Sequence, residues 1–144
     1  MFVKKLPDKE IRFVKKYLPK TVRNPDNKKA KRILNLGAGE GELNHLIHSY
    51  CEDLYACDIN EDDVEFGKSK NPLVVYSVQD GSNLSYQNNY FDVVICMEVL
   101  EHVEDEEKLL KEIYRVLNNL SIHENHCRYP RKNGIHKVSW QAVG

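Results

Sequence analysis

Residues 33–43 read Ile-Leu-Asn-Leu-Gly-Ala-Gly-Glu-Gly-Glu-Leu. An apolar strand (Ile33, Leu34, Leu36) runs straight into glycines at alternate positions, Gly37, Gly39 and Gly41. A helix-compatible apolar run follows at once with Leu43, Leu46 and Ile47, predicting a helix over about 42–50. Glycines in such a turn let the backbone reverse sharply and let a ligand approach main-chain N–H groups with no Cβ in the way. The dinucleotide fingerprint would place a further glycine at position 42, where the chain has Glu42. A carboxylate there disfavours a pyrophosphate while suiting the positive end of a helix dipole. The turn therefore reads as a cradle for a nucleoside-bearing ligand without a diphosphate, or as a tight strand–helix connection and nothing more.

Three further short apolar runs favour the cradle. Residues 54–58, Leu-Tyr-Ala-Cys-Asp, end on Asp58, an acid placed to accept hydrogen bonds from a ribose diol at the carboxyl end of a second strand. Leu73 to Tyr76 leads to Gln79, Asp80 and Gly81, and Phe91 to Cys96 leads to Met97 and Glu98. Four strands with polar or glycine residues at their carboxyl ends would line one crevice, the place where open α/β sheets bind ligands. The expected fold class is α/β, a Rossmann-like, mostly parallel open sheet flanked by helices.

Over residues 30–118 the chain resembles the class I S-adenosylmethionine-dependent methyltransferases, with the small-molecule, ubiquinone-biosynthesis-like subgroup the nearest match. Gly37-Ala-Gly-Glu-Gly41 resembles that family's first motif, Asp58 its ribose-binding acid, and Asp80 with Gly81 the position that takes the adenine amino group. Phe91-Asp92-Val93-Val94 through Glu98-Val99-Leu100-Glu101-His102-Val103 resembles its fourth-strand block, and Arg115-Val116-Leu117 the end of the next helix. The resemblance implies S-adenosylmethionine as cofactor, held by Gly37, Ala38, Gly39, Gly41, Asp58, Ile59, Asp80, Gly81 and Glu98, and a small-molecule methyl acceptor, with RNA or protein the alternatives. Two departures stand out. Asn35 occupies the position, two before the first glycine, where the family often has an acid; an amide can hydrogen-bond but lacks the charge that favours a cationic ligand. After Leu117 the family usually continues through a glycine-containing turn into a fifth strand, whereas this chain reads Asn118-Asn119-Leu120-Ser121-Ile122-His123. The expectation is an incomplete form of the fold.

With 144 residues the chain makes one domain with a sizeable core, organised as a basic N-terminal helix and loop (1–32), a cofactor-binding core (33–118) and a divergent tail (119–144). Net charge is −1, but it is polarised. Residues 1–32 carry twelve Lys/Arg against three Asp/Glu, residues 33–118 five against eighteen, and residues 119–144 four against one. A basic arm could steer a polyanion toward the site; lysines solvating a surface helix account for it equally simply. That helix is expected from Asp8, its cap, to Leu18, with Ile11, Val14 and Leu18 as the buried stripe and Pro19 marking its end. Helices are also expected over about 61–68 and 104–118, the latter with Leu109, Leu110, Ile113, Val116 and Leu117 facing inward.

No apolar run approaches the roughly 20 residues that cross a bilayer, the start lacks a secretory h-region, and Cys51, Cys57, Cys96 and Cys127 show no C-x-x-C spacing. A cytoplasmic protein with reduced thiols is the simplest expectation. His45 with His48, and His123, His126, Cys127 and His136 in the tail, lack paired zinc-ligand spacing, so no metal is expected. The alternation over 134–143 suits an edge strand, which could stand in for the fifth strand or belong to an altered end.

Methyl transfer from a sulfonium needs alignment and exclusion of water more than it needs a catalytic group. If the acceptor must lose a proton, His102 is the candidate base, because imidazole as a residue type transfers protons near neutrality; the competing reading is a half-buried residue at a helix entry. Three functions remain open: a working methyltransferase, a cofactor-binding module that is inactive or needs a partner, and, disfavoured by Glu42, a dinucleotide oxidoreductase. An exposed edge beside the fourth strand would favour self-association or a partner subunit covering it.

Overall fold

The computed structural model describes residues 11–12, 14–16, 18–19, 29–97, 99–118, 125–131 and 134–140, the last two runs as backbone strands. Four strands, β1 (Ala30–Leu36), β2 (Cys51–Asp58), β3 (Val75–Val78) and β4 (Val93–Cys96), form one sheet in the order β3-β2-β1-β4. Every pairing in it is parallel. Leu36 lies opposite both Cys57 and Cys96, and Asp58 opposite Val78, so the carboxyl ends of all four strands reach one rim.

Parallel strands need crossovers, and helices cover both faces of the sheet. Helix α1 (Asn44–Ile47) continues into a 3-10 turn over His48–Tyr50; α2 (Glu61–Lys70) follows β2; a 3-10 turn over Leu100–His102 and then α3 (Glu106–Val116) follow β4. The helical residues among 11–19 bury Val14 and Leu18 against the first face, together with Ile33, Ile47, Leu54, Ala56, Val64, Tyr76, Val93 and Ile95. On the second face Leu34, Leu36, Cys57 and Phe91 pack with Leu100, Leu109 and Val116. Alternation along each strand assigns its side chains to the two cores, which is why the strands read as continuous apolar runs. Asn60 and Asp105 cap α2 and α3 by accepting from the backbone N–H groups of Asp63 and Lys108 at 3.1 and 3.0 Å. The acids crowding both first turns match the helix dipole.

Several boundaries differ from the sequence reading. The helix expected from about residue 42 starts two residues later, because Gly41 takes φ +80° and the Asn44 N–H bonds back to the Gly41 carbonyl, which spends residues 41–43 on a turn. The third strand is displaced toward Val78, leaving Leu73 exposed. Pro19 is itself helical, and Asp8, the expected cap, lies outside the described residues. The alternating run in the tail does form a strand, β6 (Gly134–Trp140), but it pairs antiparallel with β5 (Asn125–Arg131) in a separate two-stranded sheet. Two strands two residues apart fit a hairpin, whereas joining the parallel sheet in sequence would need a crossover of a dozen residues or more. Among the described residues no helix is long and apolar enough to cross a membrane.

One side-chain clip holds the long connection between β3 and β4. Arg115 of α3 donates to both oxygens of Glu112 at 2.7 and 2.8 Å, to the carbonyls of Leu84 and Tyr86 at 2.8 and 2.7 Å, and to the Asn88 side chain at 3.0 Å. Glu112 in turn accepts from the Leu84 N–H at 2.7 Å. Arg115→Ala should destabilise the protein by about 2 kcal/mol, the scale of a broken charge-assisted network that is partly solvated. The hydrogen bond from Arg115, then that from the Leu84 N–H, holds the Glu112 carboxyl below its ordinary range. A carboxyl with a lowered folded pKa stabilises above its unfolded pKa and loses that contribution as pH falls through the folded value. Thermal melts from pH 6 down to pH 3 should therefore show an acid limb that is shallower in Glu112→Gln.

Candidate cofactor site

The rim is built from the loop after β1 and the ends of β2 and β3. At the turn, the N–H groups of Gly37 and Ala38 both donate to the Cys57 carbonyl, at 2.9 and 3.0 Å. Gly37, Gly39 and Gly41 all take positive φ, at +72°, +55° and +80°. The three glycines nonetheless serve different ends. A Cβ on Gly37 would come within 2.2 Å of Val99 Cγ2, and one on Gly41 within 2.5 Å of Asn44 Nδ2, whereas one on Gly39 would meet nothing within 4 Å among the described residues. Gly37 and Gly41 are packing glycines, and Gly39 faces open space above the loop.

Asp58, half-buried at the end of β2, grips that loop. Its Oδ2 accepts from the Gly39 N–H at 2.8 Å and its Oδ1 from the Asn60 N–H at 2.9 Å. A carboxylate offers about four acceptor positions, so both oxygens keep capacity for a ligand hydroxyl. Beside it Ile59 is 72% exposed, an apolar surface flanking the carboxylate at the rim. The Asp58 carbonyl accepts from the Gln79 N–H at 3.0 Å, tying the end of β3 to the same place. Asp80 is exposed, its Oδ1 accepting from the Ser82 N–H at 2.8 Å and its carbonyl from the Asn83 N–H at 2.9 Å. Its turn therefore rests on its own side chain. Gly81 lies where a Cβ would stand 2.7 Å from Leu109 Cδ1, so its smallness seats the Asp80 turn on α3.

Asn35 is buried, its Nδ2 donating to Asn44 Oδ1 at 2.8 Å. The amide pair ties the end of β1 to the start of α1 beneath the loop. Asn44 gave no signal in the sequence beyond its helix. Tyr76 did not either: its hydroxyl donates to the Gly39 carbonyl from β3. An inward-facing tyrosine needs a partner for its O–H, and that was the available clue. Glu98 lies outside the described residues. The His102 side chain is 77% exposed and stands 3.6 Å from Glu101. The structure thus brings Gly37, Ala38, Gly39, Gly41, Asp58 and Ile59 to one rim with Asp80 and Gly81 on the adjoining turn, and leaves His102 in solvent.

Among the described residues no three His, Cys, Asp or Glu side chains come together to hold an ion; His123, His126, Cys127 and His136 lie outside the described side chains. Among the described residues Cys51 and Cys57 are buried thiols outside any disulfide. Burial pushes Cys51 up to about 11 and Cys57 up to about 12, which keeps both protonated and poorly nucleophilic.

The family described as "Methyltransferase domain" matches residues 34–122. The chain is 28% identical over 116 residues to norajmaline N-methyltransferase of Rauvolfia serpentina, covering 76% of this chain and 38% of that one. It is 29% identical over 87 residues to a ubiquinone biosynthesis O-methyltransferase of Coxiella burnetii, covering 58% and 37%. A solved protein from Pyrococcus horikoshii superposes with a TM-score of 0.65 at 26% identity, covering 78% of this chain and 53% of that one. The chain spans under two fifths of the two curated relatives' length. With the parallel sheet, the glycine loop and the rim acids in place, the chain belongs to the class I S-adenosylmethionine-dependent methyltransferase family.

Proposed function

We propose that this chain binds S-adenosylmethionine at the rim formed by Gly37–Gly41, Asp58 and Asp80, as part of a methyltransferase acting on a small molecule. The observation that carries it is the Gly39–Asp58 pair. The one loop glycine that faces open space is bonded through its N–H to the carboxylate at the end of the neighbouring strand. That pair offers a nucleoside both an unobstructed main chain and a hydroxyl acceptor. Ile59 supplies an apolar surface for the purine, with Asp80 and Gly81 beyond it. The adjacent acids Glu40, Glu42, Asp58 and Asp80 favour a sulfonium cation over an anionic dinucleotide. Within the family the bound cofactor supplies an activated methyl carbon; this chain's residues hold and orient it. The names of the two relatives, one an N-methyltransferase and one an O-methyltransferase of a biosynthetic pathway, support a small-molecule acceptor.

Isothermal titration should show S-adenosylmethionine and S-adenosylhomocysteine binding at least tenfold more tightly than NAD. NAD as the tighter partner would sink the proposal. Transfer of labelled methyl from the cofactor to a panel of phenols, amines and quinols identifies the acceptor class.

A second reading, a cofactor-binding module completed by another chain, rests on β4. Among the described residues Val93–Cys96 pairs only with β1, and the other side carries just the parallel bridge from Phe91 to Leu117 before the strand begins. Under this reading a second copy or a partner subunit covers the free side of β4. Sedimentation velocity at micromolar concentration should then show association, and a monomer that transfers methyl readily would exclude it.

A further inference from the structure

Gly67 sits near the end of α2, a helix whose other residues are ordinary for their positions, and a glycine there costs roughly 1 kcal/mol relative to alanine. Its reason is across the core. A Cβ at Gly67 would lie 2.3 Å from Tyr76 Cε2, and a Cβ at Gly41 would lie 3.2 Å from the same atom. The phenol ring is thus threaded between a helix glycine and a loop glycine. Its tip, on the buried face of β3, donates a hydrogen bond to the Gly39 carbonyl. Gly39 is consequently held from both sides, its N–H by Asp58 and its carbonyl by Tyr76.

We propose that Tyr76, seated by Gly67, is a positioning residue that fixes the Gly39 peptide in the orientation from which the glycine loop receives S-adenosylmethionine. The inference rests on the cofactor reading above but concerns a residue outside the rim. A peptide with a positive φ and no side chain has many accessible orientations; two anchors on opposite sides select one. The phenol stays a donor throughout the physiological range, since burial, then the nearby Asp58 and Glu42 carboxylates, raise its ionisation well above its ordinary value. Removing the hydroxyl leaves the ring, and therefore the packing, in place, while the loop loses one of its two restraints. The cost then falls on binding more than on folding.

Tyr76→Phe and Gly67→Ala test the two parts. Tyr76→Phe should weaken S-adenosylhomocysteine binding roughly tenfold, the worth of about one net hydrogen bond, with a melting temperature close to wild type. Amide hydrogen exchange in the free protein should speed up at Gly39 and Gly41 and stay unchanged in β1. If wild type binds the nucleoside and Tyr76→Phe binds it equally well, the positioning role is overturned. If wild type binds neither S-adenosylmethionine nor S-adenosylhomocysteine, the functional reading fails, and unchanged exchange at Gly39 overturns the positioning separately. Gly67→Ala should lower the melting temperature and weaken binding by pushing the ring against the loop. A raised melting temperature, the ordinary result of improving a helix, would show that Gly67 is not the seat.

Discussion

Gly39→Asn should abolish measurable S-adenosylmethionine binding, with affinity falling at least a hundredfold, while the melting temperature moves little. Asparagine adopts left-handed backbone angles at modest cost, so the +55° φ at this position survives the substitution. Among the described residues the added side chain meets no atom within 4 Å of its Cβ, and nothing crowds that position, which is where the proposed cofactor would lie. Gly39→Val carries the same obstruction plus a β-branched side chain in a region such residues rarely enter, adding about 1–2 kcal/mol of destabilisation. Gly37 makes the contrast. Its Cβ would collide with Val99, so Gly37→Ala should lower stability and disturb binding together. Titration and melting of the three variants separate a ligand-facing glycine from a packing one. Wild-type affinity in a folded Gly39→Asn would mean that the loop is only a connection between β1 and α1.

That contrast was partly legible in the sequence. Three glycines at alternate positions after an apolar run pointed to a strand, a reversal and a helix, because no other residue turns so sharply so often. Which glycine faces the crevice was not legible, since it depends on Val99 and Asn44 approaching from other elements. The acid at position 58 could be placed at a strand end, but its bond to the Gly39 N–H is a tertiary contact across nineteen residues. Tyr76 was hidden for a related reason. In a strand of Leu, Val, Val and Tyr it counted as one more buried apolar residue, and only the position of Gly67 shows that its ring has a destination. The tail defeated the pattern differently. Asn125–Arg131 holds Pro130 and two arginines, features that argue against a strand inside a sheet; they are tolerated in a two-stranded hairpin, where each strand is an edge. The exposure of His102 was likewise not legible, because proximity in sequence to the fourth strand says nothing about which way a short 3-10 turn directs a side chain.

Asp58→Ala should weaken cofactor binding by about 3 kcal/mol, more than a hundredfold. Two effects combine. A carboxylate that accepts from a ribose hydroxyl is lost, and so is the anchor for the Gly39 and Asn60 N–H groups. The second effect alone should lower stability by about 1–2 kcal/mol, because both donors are near solvent and recover part of the loss from water. Asp58→Asn is the sharper variant. An asparagine presents one acceptor and one donor, so it must set an N–H against either the Gly39 or the Asn60 N–H; it should therefore bind scarcely better than alanine despite its matching shape. A double-mutant cycle on the ligand side separates direct contact from loop anchoring. Wild type should discriminate strongly against a 2′-deoxy analogue of S-adenosylhomocysteine, and Asp58→Ala should lose that discrimination while retaining its overall weakness. If the deoxy penalty persists unchanged in Asp58→Ala, the carboxylate does not touch the ribose. Its contribution would then be to hold the glycine loop, with the hydroxyl acceptor lying elsewhere on the rim.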